Sequence, residues 1–511
     1  MKRYLSFFVM LLFAAMEMFS QTSTDIDLKA LDDYYKNMVQ EWDLPSASIG
    51  IVKDGKLVFT GNYGVLEVGK TKKPDENTLY AIASNSKAFT SAVIGMLVQE
   101  GKLNWTDRVR DYLPYFAVYD EWVSEHATIE DLLCHRIGLG TFSGDNIWYK
   151  SDQSAREIIE AVKFVPQAYE FRSGYGYSNL MYITAGEVIK TVTGKSWGEN
   201  VKERILDPLG MDRSIYNLKD LAKKGNYAMP HMLKDGQNKV IEWTDWEEVA
   251  ATGGLISSVS DISKWMIFNM DHGIHGNDTL LSPETRNRVW TPHNNFVVDQ
   301  TTDNPFEKHF SGYGLGWGLS DYHGKMLVGH TGGYDGMITA VTMIPSEKLG
   351  VVVLTNGVKS PIMPATYYAL DLFLGVQQTD WSKNYLERTN KYMANDTRIS
   401  DRIARRVPDT KPTLPESSIL GDYSSNLVGK ISIVKINDQL KLVFEHHPLL
   451  SATLTHWHYD TYKINWDEDQ AWFSFGTIKI NADNNRKVLG FDFDVPNNDF
   501  FFEELQPKKT D

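Results

Sequence analysis

Cysteine is almost missing from this sequence, which holds Cys134 alone in 511 residues. That excludes an intramolecular disulfide, a CxxC redox pair and any zinc site built from several thiolates. Positive charge is in deficit too, 52 Lys+Arg against 66 Asp+Glu for a formal net charge of −14. A nucleic-acid partner is therefore not expected, because phosphate backbones are held by basic surfaces. No apolar run reaches the roughly 20 residues of a membrane-spanning helix, and there is no fixed-period repeat. What the chain does have is 42% hydrophobic and 12% aromatic residues, 14 Trp and 25 Tyr among them. Such a composition buries large cores, and the length predicts two or more domains.

At the N-terminus Lys2 and Arg3 precede the apolar run Tyr4 to Met16, and Ser20-Gln-Thr-Ser23 follows. This is the layout of a signal peptide, predicting residues 1–20 as a cleaved leader and export to the periplasm or the medium of a bacterial cell.

Alternation from Ala47 to Tyr63 around Asp54-Gly55 predicts a β-hairpin. Helical periodicity predicts helices over Lys87 to Gln99, Thr128 to Cys134, Ala155 to Val162, Leu180 to Val192 and Ser260 to Asn269. Lys325 to Gly329, Met337 to Ile344 and Gly350 to Leu354 read as strands. Strands at both ends with helices between them predict an α+β domain over 26–378. Charged and proline-bearing sequence predicts a linker over 379–417 with one short helix. Short alternating runs over 418–507, among them Lys430 to Val434, Leu440 to Phe444, Ala471 to Ile480 and Phe500 to Glu503, predict a small all-β barrel or sandwich.

Two motif matches fail on context. Gly64-Val-Leu-Glu-Val-Gly-Lys-Thr71 fits the phosphate-loop pattern, but bulky residues fill it and Pro74 follows, so no helix N-terminus is offered to a phosphate. Gly194-Lys-Ser196-Trp-Gly198 fits a nucleophile elbow, yet it follows a helix where the elbow needs a strand. Gly194 is better read as a helix C-cap and Ser196 as an N-cap. His456 and His458 share a strand face without a further ligand, so no metal is expected; Cys134 and His135 read as core and structural residues. No cofactor is predicted.

A third match keeps its context. Ser84-Asn-Ser-Lys87 lies where the strand-like Leu79 to Ile82 gives way to a helix. Residues i and i+3 share a helix face, so the Lys87 amine can reach the Ser84 hydroxyl, and the helix start favours a developing alkoxide. Tyr177-Ser-Asn179 offers a phenol and an amide in a turn before a helix, and His330-Thr331-Gly332-Gly333 continues a strand with small residues that admit a substrate backbone. Each is weak alone; the three in this order are specific.

With these motifs the chain resembles serine hydrolases of the class C β-lactamase, DD-peptidase and penicillin-binding type over residues 26 to 378. Lesser hallmarks include Thr128-Ile-Glu-Asp-Leu-Leu-Cys-His-Arg-Ile-Gly-Leu139 and Gly253-Gly-Leu-Ile-Ser257. The resemblance implies a β-lactamase-like fold and acyl transfer. Ser84 would be the nucleophile, Lys87 and Tyr177 would share the base and acid roles, and Asn179 would bond Lys87 and the substrate amide. The backbone N–H groups of Ser84 and Gly333 would form the oxyanion hole, with Thr331 and Gly332 alongside. His330 stands where many relatives have lysine, which weakens binding of a substrate carboxylate and favours peptidase or esterase over dedicated β-lactamase chemistry. The expected substrate is a small peptide, amide or ester. A catalytically inactive ligand-binding protein is the reading of a different class. The C-terminal region resembles the lipocalin-like appendage of such hydrolases, expected to cover the cleft or to mediate homo-oligomer formation.

Overall fold

The computed structural model describes residues 26–276 and 278–510; the expected leader, residues 1–20, lies outside them. The Asp54-Gly55 turn does reverse the chain. Both residues take positive φ, 51° and 75°, as a two-residue hairpin turn demands, and Ser46–Lys53 pairs antiparallel with Lys56–Gly64. This hairpin opens an eight-stranded antiparallel sheet, which continues through Leu349–Thr355, Met337–Ile344, Lys325–Tyr334, Gly318–Tyr322, Ser311–Tyr313 and Asn294–Phe296. N-terminal and C-terminal strands thus meet side by side, Ser46–Lys53 against Leu349–Thr355.

Helices Leu28–Glu41 and Ile362–Leu374 cover one face of the sheet and bury Leu31, Tyr35, Ala365 and Leu370 against it. Helix Val259–Met270 covers the other, and glycine lets it close in: a Cβ on Gly50 would stand 2.5 Å from Val259. Behind it lies helix Ser86–Gln99, buried on every side from Ser86 to Leu97, the pattern of a helix at the centre of a core. Its Phe89 stacks on Trp265 with ring centroids 4.1 Å apart. Helices Ile129–Leu133, Ala155–Ala161 and Asn179–Thr193 complete a helical half.

The two rejected motifs behave as their context indicates. Gly64 ends a strand and no helix follows Thr71, while Gly194 C-caps a helix at φ 73° and Ser196 N-caps the next in a capping box with Glu199.

Between the domains the chain is largely helical, with Trp381–Asn395, Arg398–Ala404 and Glu416–Ile419. The first of these is 15 residues long and polar on most of its surface, so its composition reads as linker. It is anchored by Trp381, whose Nε1–H donates to Asp371 at 2.7 Å. Strands from Gly421–Ser425 to Lys508–Lys509 then form a closed antiparallel barrel of eight. Phe500 to Glu503 is not a strand: it leads into a 3₁₀ turn, Phe502–Glu504, although Phe500 and Phe502 are buried at the i, i+2 spacing that a strand would show. His456 and His458 straddle a bulge and bond to Tyr459 O and Val407 N. No metal-binding cluster occurs among the described residues.

The barrel packs on the first domain. Phe500 lies 4.3 Å from the Tyr149 ring, Lys150 donates to Gln470 at 2.7 Å, and Asp469 takes both Lys234 and Lys239. One apolar core runs through both domains. None of the helices among the described residues is long and apolar enough to cross a membrane.

Truncating Phe89 to Ala removes a fully buried ring from the helix behind the sheet. We expect a loss of about 3–5 kcal/mol, read as a lower midpoint in a denaturant titration.

Candidate active site

The chain leaves strand Tyr80–Ala81 and turns at Ala83, a non-glycine residue held at φ 48°. Such a conformation is strained, and strain of this kind is tolerated where the surroundings over-determine it. Here it sets Ser84 in a 3₁₀ turn, Ala83–Asn85, that runs directly into helix Ser86–Gln99. Lys87 follows on the same face with no exposed surface. Its Nζ lies 3.0 Å from Ser84 Oγ, 2.8 Å from Asn179 Oδ1, 2.7 Å from Thr252 O and 3.0 Å from Thr252 Oγ1. The Thr252 hydroxyl donates to Asn179 Oδ1 at 2.8 Å, so toward Lys87 it is an acceptor. Burial pushes the Lys87 amine well below lysine's ordinary pKa, opposed by the charge of Asp145. A neutral amine in this setting donates to Asn179 Oδ1 and Thr252 O and can turn its lone pair to the Ser84 hydroxyl.

Tyr177 lies against the same amine, its ring centroid 4.8 Å from Nζ. Its hydroxyl is buried and closes no hydrogen bond of ordinary length. Burial drives its pKa well up, with the nearby Ser84 hydroxyl pulling the other way. The phenol therefore keeps its proton and can donate it. Asn179 begins helix Asn179–Thr193, and its Nδ2 donates to Asp145 at 2.6 Å. Asp145 also accepts from Trp148 Nε1 at 2.8 Å; burial raises its pKa to about 7.

The third motif lies on strand Lys325–Tyr334. Gly318–Tyr322 pairs with this strand only up to Gly329. From His330 onward it is paired on one side only, with Met337–Ile344, which leaves a strand edge free beside Ser84. Gly332 must be glycine, since a Cβ there would stand 2.2 Å from Ile82 O. At Gly333 the nearest atom to a Cβ would be Trp472 of the barrel, at 3.2 Å. Thr331 is exposed at the rim. His330 Nδ1 faces Thr331 O at 2.6 Å and must carry the proton there, so Nε2, 2.9 Å from the Tyr313 hydroxyl, accepts from it. Burial and the neighbouring Lys87 lower the His330 pKa to about 4. At neutral pH the group that replaces a cationic lysine is uncharged.

These residues surround a cavity of about 660 Å³, whose walls include Ser84, Tyr177, Asn179 and the stretch His330 to Gly333. Trp148, Trp246 and Phe142 supply aromatic surface, and the barrel adds Trp472, Asp499 and Phe500. Among the described lining residues the acidic side chains are Asp145 and Asp499, both with pKa raised by burial, with no lysine or arginine. Every site residue expected from the sequence is in this one place. Sequence reasoning missed Asp145, Thr252 and Tyr313, whereas the barrel walls the cavity with Trp472 and Phe500 in line with the cleft-covering role expected of it. Thr252 directly precedes the Gly253-Gly254 hallmark, a usable signal; Asp145 opens a short 3₁₀ turn and Tyr313 ends a three-residue strand, too short to carry a pattern. His135 is structural: its Nδ1 accepts from Ser178 N at 3.0 Å, which fixes the Tyr177 turn. Cys134 is buried, and its thiol pKa is pushed up to about 12.

Residues 31–374 match the family model described as Beta-lactamase, and residues 405–509 match a domain of unknown function, DUF3471. The chain is 32% identical over 409 residues to a protein named unguisins hydrolase ungD' from Aspergillus campestris, covering 76% of this chain and 74% of that one. It is 27% identical over 343 residues to Protein flp of Staphylococcus aureus strain NCTC 8325, covering 65% and 64%. A solved structure titled the octameric penicillin-binding protein homologue from Pyrococcus abyssi shares the fold with TM-score 0.62 at 24% identity, over 92% of this chain and 98% of that one.

His330 titrates near pH 4 when folded but near 6.5 when unfolded. Between those values the unfolded state binds more protons, so this histidine costs stability as pH falls from about 6.5 to about 4. His330→Gln lacks the effect. Its melting temperature relative to the wild type is expected to rise across that window and to stay level above pH 7.

Proposed function

Because the chain belongs to the β-lactamase family, we propose that it is a serine hydrolase that cleaves an amide or peptide bond through an acyl-enzyme on Ser84. The observation that carries this is the 3.0 Å contact between Ser84 Oγ and the buried Lys87 amine, a nucleophile beside a base whose pKa burial pushes down. Lys87 takes the hydroxyl proton as Oγ bonds to the substrate carbonyl. The oxyanion is held by the backbone N–H groups of Ser84 and Gly333, a contribution of about 3–4 kcal/mol per donor in comparable sites. The C–N bond then breaks, and the leaving amine receives a proton from the Tyr177 hydroxyl, which Lys87 replenishes. Water repeats the sequence in reverse order and frees Ser84.

The lining favours an uncharged or cationic substrate segment. A free carboxylate would meet Asp145, Asp499 and a neutral His330 instead of a cation. This supports cleavage within a peptide or near its N-terminus over trimming at a free C-terminus. The 660 Å³ cavity and its barrel wall support short substrates. The charge layout of the first 20 residues supports action outside the cytoplasm.

The test is intact-protein mass spectrometry after brief exposure to a fluorophosphonate or to a penicillin. Wild type and Ser196→Ala are expected to gain one phosphonyl group and Ser84→Ala none. Labelling that survives Ser84→Ala would overturn the assignment. A penicillin adduct on wild type alone would add recognition of penicillins to the substrate range.

A further inference from the structure

Asn179 can hold Lys87 only if its amide is the right way round. Oδ1 must face the amine, because a flipped amide would set Nδ2, a donor, against another donor. Asp145 decides this: it takes Nδ2 at 2.6 Å, which sends Oδ1 to Lys87 Nζ and Thr252 Oγ1, each at 2.8 Å. The carboxylate is 2% exposed and is fixed from its other oxygen by Trp148 Nε1 at 2.8 Å.

The loop that carries Asp145 is held in turn. Gly144 sits at φ 77°, with Val165 and Leu180 within 2.8 Å of where a Cβ would be. Its N–H donates at 2.8 Å to Glu504 of the barrel. The other Glu504 oxygen takes the Ser143 hydroxyl. A single glutamate of the second domain thus clamps the two residues before Asp145.

We propose that Asp145 is the positioning residue of the catalytic base: it locks the Asn179 amide and through it aims Lys87 at Ser84, while Glu504 holds the loop in place. Residues from two domains therefore set the reactivity of Ser84. This inference rests on the serine-hydrolase reading and deepens it. The groups facing Lys87 from the surrounding segments are Asp145, Tyr177, Tyr182, His135 and His330. Burial keeps both histidines neutral and both phenols protonated. Above its own pKa of about 7, Asp145 is the anion that favours the protonated amine.

The experiment follows the rate of Ser84 phosphonylation by a fluorophosphonate against pH in the full-length chain, which needs no knowledge of the substrate. Asp145→Asn keeps the shape but removes the charge and blurs the amide's preference. We expect its limiting rate to fall about tenfold or more, with half-saturation within about twofold of wild type and a melting temperature close to wild type. The acid limb near and above pH 7, where Asp145 is ionised, should move to lower pH, because Lys87 loses the anion that helps it hold its proton. Asp145→Glu, which retains the charge, should leave the limb near its wild-type position. Glu504→Gln should slow labelling to a smaller extent without moving the limb. An Asp145→Asn protein with wild-type rate and pH profile would overturn the inference. So would a rate loss that tracks lowered melting temperature with an unmoved limb, since Asp145 would then be merely structural. Labelling that persists in Ser84→Ala would instead bring down the serine-hydrolase reading itself.

Discussion

An amine with no exposed surface has two ways to exist inside a protein: surrender its charge or be met by oxygen on every side. Lys87 is drawn toward both, its pKa pushed down by burial and its amine met by oxygens, and the architecture around Ser84 can be read as the consequence. Its helix is buried all round because the amine must be kept from water. The oxygens around it come from three separate segments, at Ser84, Asn179 and Thr252. Phenols and imidazoles packed against it are all in their uncharged forms. A water-filled pocket would return the charge to the amine and remove the base.

Local spacing made the nucleophile helix legible: Ser84 and Lys87 share a face by helix geometry alone, and the strand-to-helix transition was visible in the periodicity. The Tyr177–Asn179 and His330–Gly333 motifs were legible as chemistry and as position after a turn or a strand. Asp145 was not, because its role exists only across 34 residues of sequence, through the side chain of Asn179. Tyr313 likewise acts by meeting His330 from a neighbouring strand. The state of His330 was half legible. Its type says that it can be neutral, but only burial and the bond from Tyr313 say that it is.

The second domain shows the same division. Alternation announced its strands, while closure depends on short segments such as Lys508–Lys509, which pairs with strands on both sides and has too few residues to carry a pattern. Polar composition hid the helices of the connection, since an exposed helix anchored by Trp381 looks like linker when read as composition. Phe500 to Glu503 misled for the opposite reason: consecutive aromatics resemble a buried strand but here lead into a turn, with Phe500 on the cavity wall.

The continuous core and the Glu504 clamp have a bearing on descent. Appended domains are usually exchangeable parts, gained and lost without consequence for the chemistry they accompany. Here the wall at Gly333 is Trp472, and the loop beside the nucleophile is fastened by Glu504. A recombination that replaced the barrel would have to supply an indole and a carboxylate at the same two places. The barrel is in that sense part of the pocket and not an addition to it.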